Sequence, residues 1–179
     1  MFIAIVGMAL AGVLAVYNQA VRGSADPLVR KQAIAVAESL LNEVLLQPFT
    51  WCDPQDAANG AATPPASGAA CTGGNANSQD KGGGALGPQP ATETRSSTTD
   101  PFDNVADYHG YSMAAIVDTS GAAVAALAAY SASVSVSRAG AVFGLAADAV
   151  LRVDVLVTGR GETITLTGYR FRHSPNATG

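Results

Sequence analysis

Two cysteines, two histidines and a short run of acids are the residues of this chain whose types could do chemistry. Cys52 sits in PFTWCDPQD and Cys71 in GAACTGG. Neither belongs to a CxxC pair and no histidine neighbours them, so the spacing does not describe a zinc site. They are either two free buried thiols or the partners of one disulfide. If the body of the chain lies outside the cytoplasm, the natural reading is a Cys52–Cys71 bond, and that bond is expected here. Closing a loop of that length stabilises a fold by roughly 3 kcal/mol in the chain-entropy model. In TTDPFDNVADYHGYS, the side chains of Asp100, Asp103, Asn104 and Asp107 could gather around calcium. Their spacing is not that of an EF-hand, and no acidic residue closes the loop. Acids so placed more often make turns and caps, and no metal is assigned. His109, beside Tyr108 and Tyr111, reads as a loop residue and not as a ligand.

Other candidates for chemistry are weaker. GGGALG (82–87) matches the GxGxxG dinucleotide pattern, but no strand precedes it and Pro88 follows where a helix should start. It reads as flexible loop. There is no HExxH, no GxSxG and no P-loop. His173 lies in RHSPNATG, a tail that reads as frayed. Asn176-Ala177-Thr178 fits a glycosylation sequon at the same end. The expectation is a protein that is not an enzyme and carries no cofactor. With a net charge of −4, a pI near 4.9 and no basic stripe, no nucleic acid is expected as partner.

The elements that would position these residues follow from hydropathy. Charged residues make up 13% of the chain, about half the usual share for soluble domains. Residues 1–21 are uncharged, and twenty-one residues at about 1.5 Å each cover one bilayer core. A cleavable signal, a buried core helix and a membrane anchor all fit such a stretch. A signal would need a basic start, which is absent, so the anchor is the reading adopted. Tyr17, Asn18, Gln19 and Arg22 would mark its water interface. Gly7 and Gly12 would let another helix approach. Next, Asp26 suits an N-cap and Pro27 the first helical position. Val29, Ala33, Ile34, Ala37, Leu40, Leu41, Val44 and Leu45 recur at helical spacing until Pro48 ends the pattern. Whether residues 1–47 make one kinked helix or two is open at this stage. Residues 57–100 are Ala, Gly, Ser, Thr and Pro with few charges, and offer almost nothing to bury.

Four strands are expected after that. YSMAAIVD (111–118) is the first. YSASVSVSR (130–138) alternates, with Tyr130, Ala132, Val134 and Val136 on one face and serines on the other. VLRVDVLVTG (150–159) turns Leu151, Val153, Val155 and Val157 inward. GRGE (159–162) is a hairpin turn. TITLTGYRF (163–171) returns, with Ile164 and Leu166 on one phase and Tyr169 and Phe171 on the other. Gly168 between them is expected to be a bulge that switches faces. The fold class is α+β, a long N-terminal hydrophobic/amphipathic helix packed on a C-terminal four-stranded antiparallel sheet. The organisation reads as 1–21 membrane or filament-core helix, 22–50 amphipathic helix, 51–110 disulfide-bearing low-complexity loop and 111–179 sheet.

FIAIVGMALAG resembles the middle of the type IV pilin N-terminal helix. SADPLVRKQAIAVAESLLNEVLLQPFTWCDP, FDNVADYHGY and VLRVDVLVTGRGETITLTGYRFRHSPN resemble the D-type minor pilins of the mannose-sensitive haemagglutinin (MSHA) pilus. The resemblance implies a pilin-like fold and a filament subunit that serves pilus biogenesis and surface attachment. It implies a single-pass inner-membrane start with a periplasmic body, then extraction into a pilus. Its partners would be other pilin subunits through the N-terminal helix, the inner membrane and the pilus assembly machinery. The residues implied to pack in membrane and filament are Phe2, Ile5, Val6, Gly7, Leu10, Val13 and Leu14. Cys52 and Cys71 would clamp the loop, and Ile34, Leu41 and Val44 would hold the helix on the sheet. The family's basic leader and early glutamate are missing from this chain, which fits a start placed too late, a trimmed start or a divergent member, the first two being preferred. The alternatives are a minor pseudopilin of a type II secretion system and a membrane-tethered periplasmic binding module or enzyme.

Overall fold

The computed structural model describes residues 2–172, and their side chains except those of 2–5, 9 and 18–26. Helix α1 runs from Phe2 to Leu46 with Pro27 inside it. The question of one helix or two is answered by a backbone that stays helical through Pro27, so Asp26 and Pro27 do not start a new element. From residue 29 onward one face of α1 is covered. Ala33, Val36, Ala37, Leu40 and Val44 are buried, and Val29, Ile34, Leu41 and Leu45 pack at the edge of the same core. That is the three-and-four spacing of a single stripe.

The stripe lies on a four-stranded antiparallel sheet ordered β1-β2-β3-β4, with β1 at Ser112–Met113, β2 at Tyr130–Arg138, β3 at Val150–Gly159 and β4 at Glu162–Phe171. Tyr130, Ala132, Val134 and Val136 of β2 and Leu151, Val153, Val155 and Val157 of β3 are all buried against the helix side. Period-two alternation fixes this, because a slip of one residue would turn every valine to water. Arg160 and Gly161, both with positive φ, close the β3–β4 hairpin.

Four expectations need correction. The fold class expected from the sequence does not stand as stated. Among the described residues no helix is long and apolar enough to cross a membrane, and only the 27–46 part of α1 covers the sheet. Val6, Leu10, Val13 and Leu14 are exposed, so the first part of the helix is not packed on the body. The strand expected over 111–118 is reduced to Ser112–Met113. Ile116 and Val117 leave the ladder, with Arg95 donating to the Val117 and Asp118 carbonyls. Gly168 is not a bulge, since β3 and β4 pair without interruption from Val150↔Phe171 to Gly159↔Glu162. A Cβ at Gly168 would lie 2.7 Å from Leu45 Cδ1 and 3.2 Å from Leu41 Cδ1, so the missing side chain lets α1 sit close on β4. Finally, the 57–100 loop is not featureless. It folds into short 3-10 turns and buries Leu86 in the core and Ser78 and Gln79 beside it.

Candidate functional site

Three places in the fold gather the residues that sequence reasoning singles out: the free part of α1, the disulfide-bearing loop, and the junction between loop and helix.

On α1, Val6, Met8, Leu10, Val13, Leu14, Val16 and Tyr17 are all exposed. A side chain built at Gly7 or Gly12 would meet nothing within 4 Å. The side chains of Phe2 and Ile5 lie outside the described residues. The structure therefore sets Val6, Gly7, Leu10, Val13 and Leu14 on one element but gives them no partner among the described residues. Of the helix–sheet residues, Val44 is fully buried, while Ile34 and Leu41 are half-buried at the rim of the core. Ala33, Val36, Ala37 and Leu40 carry more of the contact.

Cys52 and Cys71 form a disulfide with Cα atoms 5.3 Å apart, and both are buried. Hydrogen bonds lock the loop they close. Asp56 accepts from Thr72 Oγ1 at 2.6 Å and from the Thr72 and Ala58 amides, which holds its carboxyl below its ordinary range. Gln79 donates its backbone N–H to the Trp51 carbonyl at 2.8 Å and its amide to Gln89 O. Arg138, at the end of β2, bridges Asp80 at 2.7 Å. Arg172, just past β4, lies 3.5 Å from the Trp51 ring centre and 4.1 Å from that of Phe49. Burial pushes that guanidinium down to about 10.

Of the acids considered for calcium, Asn104 and Asp107 form a capping box on the 3-10 turn Val105–Tyr108. Asp107 accepts from the Asn104 amide at 2.7 Å, and the Asn104 side chain accepts from the Ala106 amide at 3.2 Å. Asp100 accepts from Thr92 Oγ1 at 2.9 Å. These are the cap and turn roles expected. His109 Nδ1 accepts from the Val136 amide, a structural contact between loop and β2. Asp103, however, joins two residues that the sequence reading did not consider. One carboxylate oxygen from each of Asp53, Glu93 and Asp103 lies within 4.8 Å of the others. Asp53 and Glu93 are buried, with Glu93 only 3% exposed. Burial, with the repulsion of Asp107 next, holds the Glu93 carboxyl well above the usual carboxylate range, and burial raises Asp103 as well. The three are 40 and 10 residues apart in sequence, so no local motif links them. The one hint was that Glu93 is an isolated acid in a stretch otherwise poor in charge.

At the junction, Glu43 of α1 receives both forks of the Arg95 guanidinium, at 2.7 and 2.8 Å, and the Tyr108 hydroxyl at 2.9 Å. The same arginine floors a cleft of about 460 Å³ between α1 and the 113–127 segment, walled by Val36, Leu40, Ile116 and Leu127. The cleft is mostly apolar, and no pair of side chains in it forms a nucleophile and base. Comparison with protein-family models, with curated proteins and with solved structures finds no match to this chain.

Proposed function

We propose that this chain is a structural subunit of the minor-pilin kind, from an MSHA-like pilus, and acts by assembly instead of catalysis. The observation that supports this is the apolar surface of α1 between Val6 and Val16, where Met8, Leu10, Val13, Leu14 and Val16 are each more than half exposed. Folded monomers rarely leave so continuous an apolar stripe in water, and such stripes mark interaction sites. The stripe is read as a packing surface for the helices of other subunits. In this reading the disulfide-bearing body folds in the periplasm, where oxidation is favoured. The assembly machinery then adds the chain to a surface filament that serves attachment.

Site-directed crosslinking tests this. A photoreactive residue at Val13 or Leu10 should crosslink the chain to other subunits in sheared filaments, while one at exposed Ser135 on the far face of the sheet should not. Absence of the chain from filaments, with pili and attachment normal in its deletion strain, overturns the reading. Crosslinks to a secretion complex and none to pili would assign it instead to a type II secretion system.

A further inference from the structure

The cluster of Asp53, Glu93 and Asp103 has no role in assembly through α1, and its geometry is unusual. Burying a carboxylate costs several kcal/mol unless a hydrogen bond or a counter-charge compensates. Asp53 uses Oδ1 to accept from the Gln55 amide, and Asp103 uses Oδ2 to accept from the Gln55 side chain. The remaining oxygens have no partner: Asp53 Oδ2, Asp103 Oδ1 and both oxygens of Glu93 are buried and unsatisfied. Glu93 is thus more than nine-tenths buried, both its oxygens lack a partner, and one of them lies within 4.8 Å of an oxygen of Asp53 and of Asp103. Among the described residues, every ion pair lies elsewhere, at Arg30–Glu162, Arg95–Glu43, Arg138–Asp80 and Arg152–Asp154. Lys81 is near enough to feel the charges of Asp107 and Glu93, but its ammonium donates to Pro88 O and the Gln89 side chain and makes no ion pair with the cluster.

We propose that Asp53, Glu93 and Asp103 bind one calcium ion, which staples the start of the disulfide loop to its far end. The donor set is all oxygen, with no histidine or cysteine, which selects a hard cation over zinc or copper. Two ligands of one calcium ion, each about 2.3–2.6 Å from it, lie at most about 5 Å apart, and the three carboxylates meet that limit. Calcium also accepts the irregular geometry that an all-loop site provides, whereas magnesium demands a near-ideal octahedron. The charge fits as well: three desolvated carboxylates repel one another, and a dication removes that repulsion.

The position explains what binding would do. Asp53 follows Cys52 directly, Glu93 closes a turn by donating its N–H to Pro90 O, and Asp103 precedes the capping box. One ion would therefore join three stretches of a loop that has few apolar side chains of its own.

The test uses the full chain with its disulfide intact, stripped with EDTA and exchanged into metal-free buffer near pH 7. Calcium chloride alone is titrated by calorimetry, with terbium as a second probe read through emission sensitised by Trp51, two residues from Asp53. One calcium per chain is expected, with a dissociation constant on the order of 10⁻⁴ M or tighter. Saturating calcium should raise the melting temperature by about 5 °C or more, and calcium should displace the terbium signal. Glu93→Gln should weaken binding at least about tenfold, yet melt no lower than the parent in EDTA, because it removes repulsion. If Glu93→Gln fails to fold, Asp103→Asn carries the test, as its amide oxygen can still accept from Gln55. Asp118→Asn, in an exposed turn, should bind as the parent does. Equal melting temperatures in EDTA and calcium with no terbium signal would overturn the site and leave protons as what the carboxyls share. An equal response to magnesium or to sodium chloride would overturn the calcium assignment. Neither result bears on whether α1 assembles.

Discussion

Arg95 and Glu43 show how a single pair can fasten a loop that has little to bury. The pair is bidentate, and Arg95 also donates to the carbonyls of Val117 and Asp118. Glu43 raises the Arg95 guanidinium above its ordinary value, chiefly through the hydrogen bond. Removing one partner leaves the other charge half-buried and unpaired, so Arg95→Ala or Glu43→Ala should each cost about 2–3 kcal/mol. The double variant should cost clearly less than the sum, since no orphan charge remains. Urea denaturation of the four proteins measures this. Asp56 offers a second check at this scale. Its folded pKa lies below the ordinary 3.8, with the Thr72 hydroxyl as the largest cause. A depressed acid contributes stability that is present above its unfolded pKa and lost as pH falls through the folded one. Carboxyl NMR should therefore show Asp56 titrating below 3.8, and Thr72→Val should move the midpoint back up.

At the scale of elements, what the sequence made legible is what periodicity encodes. Strands β2 and β3 fall where their alternation puts them, as Ser131, Ser133, Ser135 and Ser137 alternate with buried Tyr130, Ala132, Val134 and Val136. The covering stripe of α1 is legible for the same reason, since burial on one side imposes a period. What was not legible depends on contacts far apart in sequence. A glycine in a strand reads equally as a bulge or as a site of close approach, and only the placement of Leu41 and Leu45 decides for Gly168. Asp53 and Glu93 were invisible as a pair because they stand 40 residues apart and only the folding of the loop brings them together. The far face of the sheet adds an example: Tyr169 and Phe171 point away from the helix, and Phe143 packs edge-on against both at about 5 Å. The Gly168 reading makes a prediction. Gly168→Ala should gain up to about 1 kcal/mol from the stiffer unfolded chain, but crowding of two leucines opposes it with about 1–3 kcal/mol. A net loss of about 1 kcal/mol is expected, and more for Gly168→Val. Leu45→Val, destabilising alone, should recover part of the loss in the Gly168→Ala background. Strict additivity in equilibrium unfolding would show that the helix does not rest there.

For the whole molecule, the division of α1 sets the terms. Its 27–46 part supplies one wall of the core, and Val29 and Gln32 accept the Tyr130 hydroxyl at its upper end. Its described side chains before Pro27 join neither the core nor any described hydrogen bond to the body. Stability and association should therefore separate. A chain beginning at Asp26 should keep its disulfide and melt within about 2 °C of the full chain, because cutting a helix whose described side chains are exposed removes little burial. The full chain should self-associate through the stripe from Val6 to Val16, whereas the shortened one should sediment as a monomer at the same concentration. A drop in melting temperature of more than about 5 °C would mean that the first part of α1 supports the body after all. Monomeric behaviour of both would remove the exposed stripe as a surface for assembly. Because the Asp53–Glu93–Asp103 cluster sits at the disulfide loop, away from α1's free part, calcium should raise the melting temperature of both chains by the same amount. Equal shifts would place loop closure and helix association in separate parts of one molecule, one serving the fold and the other its neighbours.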